Sequence, residues 1–269
     1  RFRNTLRYLL GALDGYSDQE TLSYEDMPDL EKWVLNRLAE LNEQLNQTAK
    51  DFDFTHFYTQ LHTFCTIDLS AFYLDIRKDC LYCDGKESPK RRAVRTVIHH
   101  IFECLVHWLA PVLSFTAEEA WGKRYGREND SIHLQKFPTI PSEWLNQEIV
   151  EYWEKVRQVR SVVTGALEIE RAAKTIGSSL QGTVAIYLPN EIAKELGGID
   201  WAEIGITSTA KLVIAQPPAS AFALEEVLDI GVIVNAASGE KCQRCWKILP
   251  EVQSSEHHLC HRCEEVVAP

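Results

Sequence analysis

Residues 88–109 read SPKRRAVRTVIHHIFECLVHWL, and this stretch sets the fold class. Ser88 suits a helix N-cap, and Pro89 suits the first helical position, where a backbone N–H has no helical partner anyway. Apolar residues then recur at intervals of three and four, which predicts an amphipathic helix; they are Val94, Val97, Ile98, Ile101, Leu105 and Leu109. Pro111 should stop or kink this helix.

Similar helices flank this stretch. Residues 1–13 read as a helix, and residues 28–52 carry leucines and a valine at helical spacing. A further amphipathic run extends from Thr55 to Ile76. Downstream, Thr116 and Glu119 have the form of a capping box that would open a short helix. Short polar turns between these helices predict an antiparallel helical bundle, which we place at residues 1–138.

The pattern changes after the bundle. One more helix, at about residues 148–173, precedes β-like runs at 183–188, 211–215 and 230–234. We predict a small α+β junction domain at residues 139–238 and a four-cysteine tail at residues 239–269. The expected fold class is therefore mainly α, with a helical bundle, a small α+β segment and a four-cysteine zinc knuckle.

Two Cys-x-x-Cys pairs in the tail carry the clearest chemistry, and they are Cys242, Cys245, Cys260 and Cys263. Two such turns can supply four thiolates to one ion in the tetrahedral geometry that suits Zn²⁺. Because the protein fills every ligand position, the zinc should be structural. The alternative is a coincidental pair of redox or disulfide motifs. His257, His258 and His261 lie nearby, and we expect them to be solvated loop residues.

A third Cys-x-x-Cys pair, Cys80 and Cys83, stands at the end of a predicted helix. It has no second pair to match it, and the remaining thiols, Cys65 and Cys104, fall within other helices. We do not predict a metal there, because a lone pair of this kind has little specificity.

Basic residues suggest where RNA could bind. Arg92 and Arg95 fall on the face of residues 88–109 opposite the apolar stripe, with Arg91 beside them, and we predict that these three contact phosphates. An ordinary solvated helix face is the competing interpretation. Another, weaker cluster consists of Arg1, Arg3 and Arg7.

The zinc tail offers two further candidate RNA contacts, Arg244 and Trp246. A ring held on a rigid knuckle could stack on an unpaired base, and a guanidinium beside it could pair with a phosphate. Trp246 could equally be a packing residue that covers the metal.

Composition narrows the function classes. A formal net charge of −11 argues against a protein whose whole surface coats nucleic acid. We recognise no Ser/His/Asp arrangement of a nucleophilic triad, no Gly-x-x-x-x-Gly-Lys phosphate-binding loop and no His-Glu-x-x-His helix. We therefore assign no catalytic residue.

Since no apolar run approaches the length of a bilayer span and no secretory leader is recognisable, we expect a cytoplasmic protein without membrane association. Arg1 opens the chain and Met27 is its only methionine, which is typical of an excised fragment.

The sequence resembles the carboxy-terminal part of the bacterial isoleucyl-tRNA synthetases, which are class I aminoacyl-tRNA synthetases. Bundles of this kind are shared with the valyl and leucyl enzymes, and the stretches that carry the likeness are RNTLRYLL (3–10), FYLDIRKD (72–79), LAPVLSFTAEEAW (109–121) and SIHLQKFP (131–138). KTIGSSL (174–180) and GEKCQRCW (239–246), with Cys260 and Cys263, point to the isoleucyl member.

The resemblance implies that the bundle binds the anticodon stem and loop of isoleucine tRNA and that the zinc knuckle helps to position this RNA. The family's ATP-binding His-Ile-Gly-His and Lys-Met-Ser-Lys-Ser signatures lie on an earlier Rossmann domain, which this chain lacks together with the editing domain. The chain alone should therefore not aminoacylate. ATP would act only through the catalytic domain of the full-length enzyme. That catalytic domain would also be a partner of this chain. The full-length enzyme is expected to be a monomer. Cys80 stands where the family would place a basic residue, so the resemblance does not carry a phosphate contact to this position.

Two other interpretations remain open at this stage. One is a zinc-ribbon interaction module on a helical scaffold with no RNA role, and the other is a stand-alone helical scaffold with incidental metal. Fold analogy alone does not decide among them.

Overall fold

The computed structural model describes residues 1–126 and 130–267, which form two compact units. The first comprises residues 1–81 and 85–150, and the second comprises residues 82–84 together with 151–267. The predicted boundaries at 138/139 and 238/239 do not coincide with this division, and the three-domain arrangement stays a prediction. Of the predicted domains, residues 127–129 and 268–269 lie outside the described residues.

The first unit is helical, as the sequence predicts. Its helices are α1 (Phe2–Ala12), α2 (Asp29–Lys50), α3 (Phe54–Thr63), a π-helix (Phe64–Tyr73), α4 (Leu74–Cys83), α5 (Pro89–Leu109) and α6 (Ser114–Tyr125), and only the last two residues of α4 belong to the second unit. Helix α5 begins where the sequence indicates, because the Ser88 hydroxyl accepts a hydrogen bond of 3.4 Å from the Arg91 backbone N–H.

Helix α5 lies at the centre of the core. It packs against α1, α2 and α6, and its predicted apolar stripe is fully buried. Burying one such aliphatic side chain stabilises a fold by roughly 1.5–3 kcal/mol relative to leaving it in water. The bundle is therefore stabilised by the burial of many apolar side chains. Helix α5 supplies more of them than any other described helix.

A buried ion pair joins α2 to α4. The Arg77 guanidinium donates to both carboxylate oxygens of Glu31, at 2.8 and 2.6 Å, and neither side chain has more than 4% of its surface exposed. A bidentate pair of this geometry compensates two charges that would otherwise be costly to bury.

Two local features differ from the sequence-based expectations. The predicted Thr116–Glu119 capping box is wrong, because the N-cap of α6 is Leu113, three residues before Thr116, and makes no side-chain cap. Glu119 instead pairs with Arg3 of α1. The run from Thr55 is helical, but its middle is a ten-residue π-helix, a rare form that no local sequence signal predicts.

The second unit contains most of α7 (Gln147–Ala172) and a four-stranded sheet in the order β2-β1-β4-β3. The strands are β1 (Gly182–Leu188), β2 (Thr209–Ile214), β3 (Phe222–Leu224) and β4 (Val227–Ala236). Strand β1 pairs in parallel with β2 and antiparallel with β4. The connection between β1 and β2 holds α8 (Asn190–Leu196) and α9 (Trp201–Ile204), as a parallel crossover requires. The α+β segment is thus confirmed.

Among the described helices, none combines enough length with enough apolar character to cross a lipid bilayer.

Candidate zinc site and RNA contacts

The four-cysteine tail consists of short elements, which bring its two Cys-x-x-Cys loops together. They are β5 (Glu240–Lys241), β6 (Ile248–Leu249), a 3-10 helix (Pro250–Ser254) and α10 (His261–Val267). Gly239 precedes the first strand at φ +114°, and a Cβ at this position would collide with the Leu249 carbonyl group. Only glycine fits such a position without strain, so Gly239 allows the hairpin to close.

The four thiols meet at one point. The sulfurs of Cys242, Cys245, Cys260 and Cys263 all lie within 4.8 Å of one another. Zinc–sulfur bonds of about 2.3 Å in a tetrahedron place neighbouring sulfurs about 3.8 Å apart. The Cys245 and Cys260 sulfurs are 3.7 Å apart, so the site fits a Zn²⁺ ion ligated by four thiolates.

Backbone hydrogen bonds arrange the two loops for this geometry. The Cys242 N–H donates to the Lys247 carbonyl at 2.8 Å, and the Gln243 N–H donates to the His258 carbonyl at 3.0 Å. The Cys260 N–H in turn points at the Cys242 sulfur, 3.4 Å away. The loops are thus joined to each other by the protein itself.

The surroundings of Cys242 also favour the thiolate form of its side chain. Burial opposes ionisation of Cys242, but backbone N–H groups of Cys245, Cys260 and Arg244 that donate to its sulfur outweigh this and lower its pKa to about 6. Burial raises the pKa of Cys245, and the nearby Cys260 and Cys263 sulfurs raise it further. A cation among the four sulfurs would remove that repulsion and keep all of them ionised.

The histidines of the loop stand apart from the ligand group, as expected. His257 and His258 are exposed, as is His261, and His258 lies 3.5 Å from the Glu240 carboxylate. Among the described residues, no histidine belongs to the group of converging ligands.

Cys83, from the lone Cys-x-x-Cys pair, belongs to the small core around the zinc ligands. It is buried in a cluster with the four cysteines and Val252, and its sulfur lies 3.8 Å from the Arg244 carbonyl oxygen. Cys80 is also buried. Within residues 1–126 and 130–267, only the four tail cysteines form a metal-ligand group, and no sequence pattern indicates that Cys83 packs beside them.

Arg244 holds the first cysteine loop in place. Its guanidinium donates to the carbonyl oxygens of Cys83 and Tyr82, the latter at 3.3 Å. Arg262, from the second loop, lies 3.3 Å from the Asp84 carboxylate. These two arginines thus bind the cysteine loops to residues 82–84 of the same unit.

Trp246, in contrast, is presented to solvent. The residue is 59% exposed, although it directly follows the buried ligand Cys245. Its backbone has φ +67°, in the left-handed region that non-glycine residues rarely adopt. The Lys241 ammonium lies 5.2 Å from the ring centroid, within cation–π range. The exposed ring disfavours the interpretation that Trp246 covers the metal.

The expectation that Arg95 lies on a solvated helix face is wrong. Only 5% of the residue is exposed, and its guanidinium pairs with the Glu20 carboxylate at 2.8 Å. It also donates to the carbonyl oxygens of Ala12 and Asp14. The 3-10 helix Asp18–Glu20 packs against α5 at this position, a long-range contact that the helical periodicity of α5 does not reveal.

Arg91 and Arg92 are half-buried and likewise donate to backbone. Arg91 reaches the Leu81 carbonyl at 3.3 Å, and Arg92 reaches the Gln19 carbonyl at 2.9 Å. All three arginines of the predicted patch therefore make contacts that order neighbouring segments of the bundle.

Comparison with known protein families gives two matches. Residues 31–186 match the family described as "Anticodon-binding domain of tRNA ligase". Residues 239–266 match "Zinc finger found in FPG and IleRS", a range that contains all four cysteines of the candidate site.

Three relatives with similar sequences are each named an isoleucine–tRNA ligase. The chain is 47% identical over 270 residues to the "Isoleucine--tRNA ligase" of Gluconobacter oxydans, which covers the whole of this chain and 27% of the relative. It is 47% identical to the protein of that name from Bartonella henselae, over 94% of this chain and 26% of the relative. The corresponding protein of Agrobacterium fabrum is 46% identical over 96% of this chain and 27% of its own length. The chain thus spans about a quarter of the relatives that it matches.

Proposed function

The chain belongs to the anticodon-binding domain family of tRNA ligases, and from this premise we propose that it is the tRNA-holding part of an isoleucine–tRNA ligase. The observation that carries the proposal is the conjunction, in one chain, of the anticodon-binding bundle with a zinc finger of the kind named for these ligases. An unrelated zinc-ribbon module on a helical scaffold would account for only one of the two parts.

In this proposal the zinc is structural and Trp246 supplies a contact to RNA. When bound, Zn²⁺ cross-links the two cysteine loops and fixes the backbone on either side of Trp246. An exposed ring on a rigid turn can stack on an unpaired base without losing much conformational freedom. Lys241 lies close enough to the ring to neutralise the adjoining phosphate.

The remaining predicted RNA contacts have different roles in the proposal. Arg244 orders the knuckle, and Arg95 orders the bundle, because their guanidinium groups are engaged with protein oxygens. Arg91 and Arg92 stay candidates for phosphate contact, since both are only half-buried. Replacement of Arg95 by alanine is then expected to destabilise the bundle and to leave the salt dependence of RNA binding unchanged.

The activity of the intact protein follows from the same premise. We infer that it attaches isoleucine to isoleucine tRNA with ATP, that the reacting groups lie on the part of the protein outside this chain, and that it acts as a cytoplasmic monomer. The present chain contributes recognition and no catalytic residue.

A gel-shift experiment tests the proposal. The purified chain, loaded with zinc, is titrated at low salt against a transcript of isoleucine tRNA and against duplex DNA of equal length. A shift of the tRNA in preference to the duplex supports a tRNA-binding function. If the tRNA does not shift, the interaction-module interpretation becomes the better one.

A further inference from the structure

A groove with a volume of about 700 Å³ lies in the first unit. None of the arginines of the predicted α5 patch lines this groove. Helix α1, the turn that follows it and helix α6 form its walls. Four cations and two carboxylates line it; the cations are Arg3, Arg7, Lys123 and Arg124, and the carboxylates are Asp14 and Glu119. The groove thus has a net charge of +2 on a chain whose formal net charge is −11.

The cations of this groove are engaged to very different extents. Arg3 is neutralised by Glu119, to which its guanidinium donates two hydrogen bonds, of 2.5 and 2.8 Å. Arg7 and Lys123 are exposed, and neither has an ion pair within the described part of the chain. These two positive charges are consequently available to a ligand.

Arg124 is held rigidly in the wall of the groove. Its guanidinium carbon lies 5.7 Å from the Tyr16 ring centroid and 5.5 Å from that of Tyr125. Its Nε is buried and has no hydrogen-bond acceptor among the described residues. Because Arg124 is only half-buried and lines the groove, the rest of its guanidinium can bind an oxygen anion there at little further cost in side-chain entropy.

We propose that this groove between α1 and α6 binds the phosphate backbone of the RNA, with Arg7, Lys123 and Arg124 as the contacts. The proposal rests on the tRNA-binding function proposed above and assigns it a second surface in addition to Trp246. Arg7 and Lys123, the two exposed cations of the groove without an ion pair, come from the two helices that form its walls, α1 and α6. Long, exposed cations spaced along a groove match a chain of phosphates better than a single small anion, which would need convergent donors.

The experiment measures the affinity and salt dependence of RNA binding by the full chain. Fluorescence anisotropy with a labelled transcript of isoleucine tRNA is recorded for the wild type, for Arg7→Ala/Lys123→Ala and for the control Lys50→Ala/Lys136→Ala. The control removes the same charge from positions of the same unit that lie outside the groove. Circular dichroism and zinc content establish that each variant is folded.

The groove variant should bind RNA about tenfold more weakly near 0.1 M salt, and its log–log salt slope should fall by about 0.7–0.9 for each phosphate that is no longer neutralised. The control should match the wild type.

Equally weakened binding by the two variants would overturn the groove as a contact while leaving the tRNA-binding function intact. No binding by the wild type would overturn both. If polyglutamate binds the wild type but not the groove variant, and RNA binding is the same in both, the groove serves an acidic protein segment and the RNA proposal for it is wrong.

Discussion

The helical bundle and the cysteine-rich tail are stabilised by opposite means. In the bundle, the α5 stripe is entirely buried, as are the large side chains of Phe64, Phe102 and Trp108. Around the tail, the buried cluster consists of the four tail cysteines, Val252 and Cys83 of α4, with Leu249 and Leu259 packed against it. A segment of about 30 residues with so few apolar side chains does not build a sufficient core. The bundle depends on many small contributions, whereas the tail depends on one ligand.

Removal of zinc should produce the largest difference between the two regions. Four-thiolate zinc sites in small domains contribute on the order of 10 kcal/mol of folding free energy. A strong chelator should therefore unfold residues 239–267 and leave the bundle helices folded. Hydrogen exchange measured by mass spectrometry separates the two responses, since tail amides should lose protection while α5 amides keep it.

Substitution of any one zinc ligand, for example Cys263→Ser, should reproduce the effect of the chelator. Cys65→Ser serves as a control, because Cys65 is buried in the bundle and remote from the ligand group in sequence. Protection of the tail that is unaffected by chelation would show that its fold does not depend on the metal.

The buried Glu31–Arg77 pair should give the next largest effect, now confined to the bundle. Arg77→Ala leaves an unpaired carboxylate that is fully buried, which typically costs about 3–5 kcal/mol. Denaturant unfolding followed by circular dichroism measures the decrease in stability. The neighbouring Lys78→Ala removes an exposed pair with Asp75 and should cost less than about 1 kcal/mol. Equal costs for the two variants would contradict a buried, paired Arg77.

His100 should make the stability of the bundle depend on pH. Burial, with a smaller contribution from His99, lowers its pKa to about 4, and its ring lies 5.0 Å from that of Trp144. The unfolded chain binds a proton near pH 6.5, whereas the folded chain does so only near pH 4. The contribution of His100 to stability is therefore most favourable above pH 6.5 and decreases by about 3 kcal/mol as the pH decreases from 6.5 to 4.

Comparison of the wild type with His100→Gln isolates this contribution from that of the carboxylates. The variant should lose less stability than the wild type over the same pH range, measured by urea unfolding at each pH. Identical pH profiles would mean that His100 is already protonated in the folded state or is accessible to water.

Regions governed by local patterns were predictable, and regions governed by tertiary contacts were not. The start of α5 at Ser88 and Pro89 and the convergence of the four tail cysteines depend on short-range rules of capping and ligand spacing, and both were confirmed. Strand β3 was missed because a three-residue strand is too short to show an alternating pattern. The π-helix packs against α1 and α2, and such long-range contacts are not displayed by the local sequence.

The arginines show the same limit at the level of single side chains. Helical periodicity placed Arg95 on the side opposite the apolar stripe, but did not indicate that Glu20, 75 residues away, would pair with it there. The converse holds for Trp246: its position after Cys245 was plain in the sequence, yet only the structure shows the exposed ring and the left-handed backbone.

If a zinc-fixed tail presents Trp246 to RNA, then zinc content and RNA affinity, measured on one preparation of Trp246→Ala, should respond differently to the substitution. Removal of a base stack should weaken binding of the anticodon stem-loop by about 1–3 kcal/mol, or roughly 5- to 150-fold, at full zinc occupancy. Trp246→Phe should restore much of that affinity. Zinc release in step with weakened binding, or unchanged affinity at full occupancy, would show that Trp246 does not stack on the RNA.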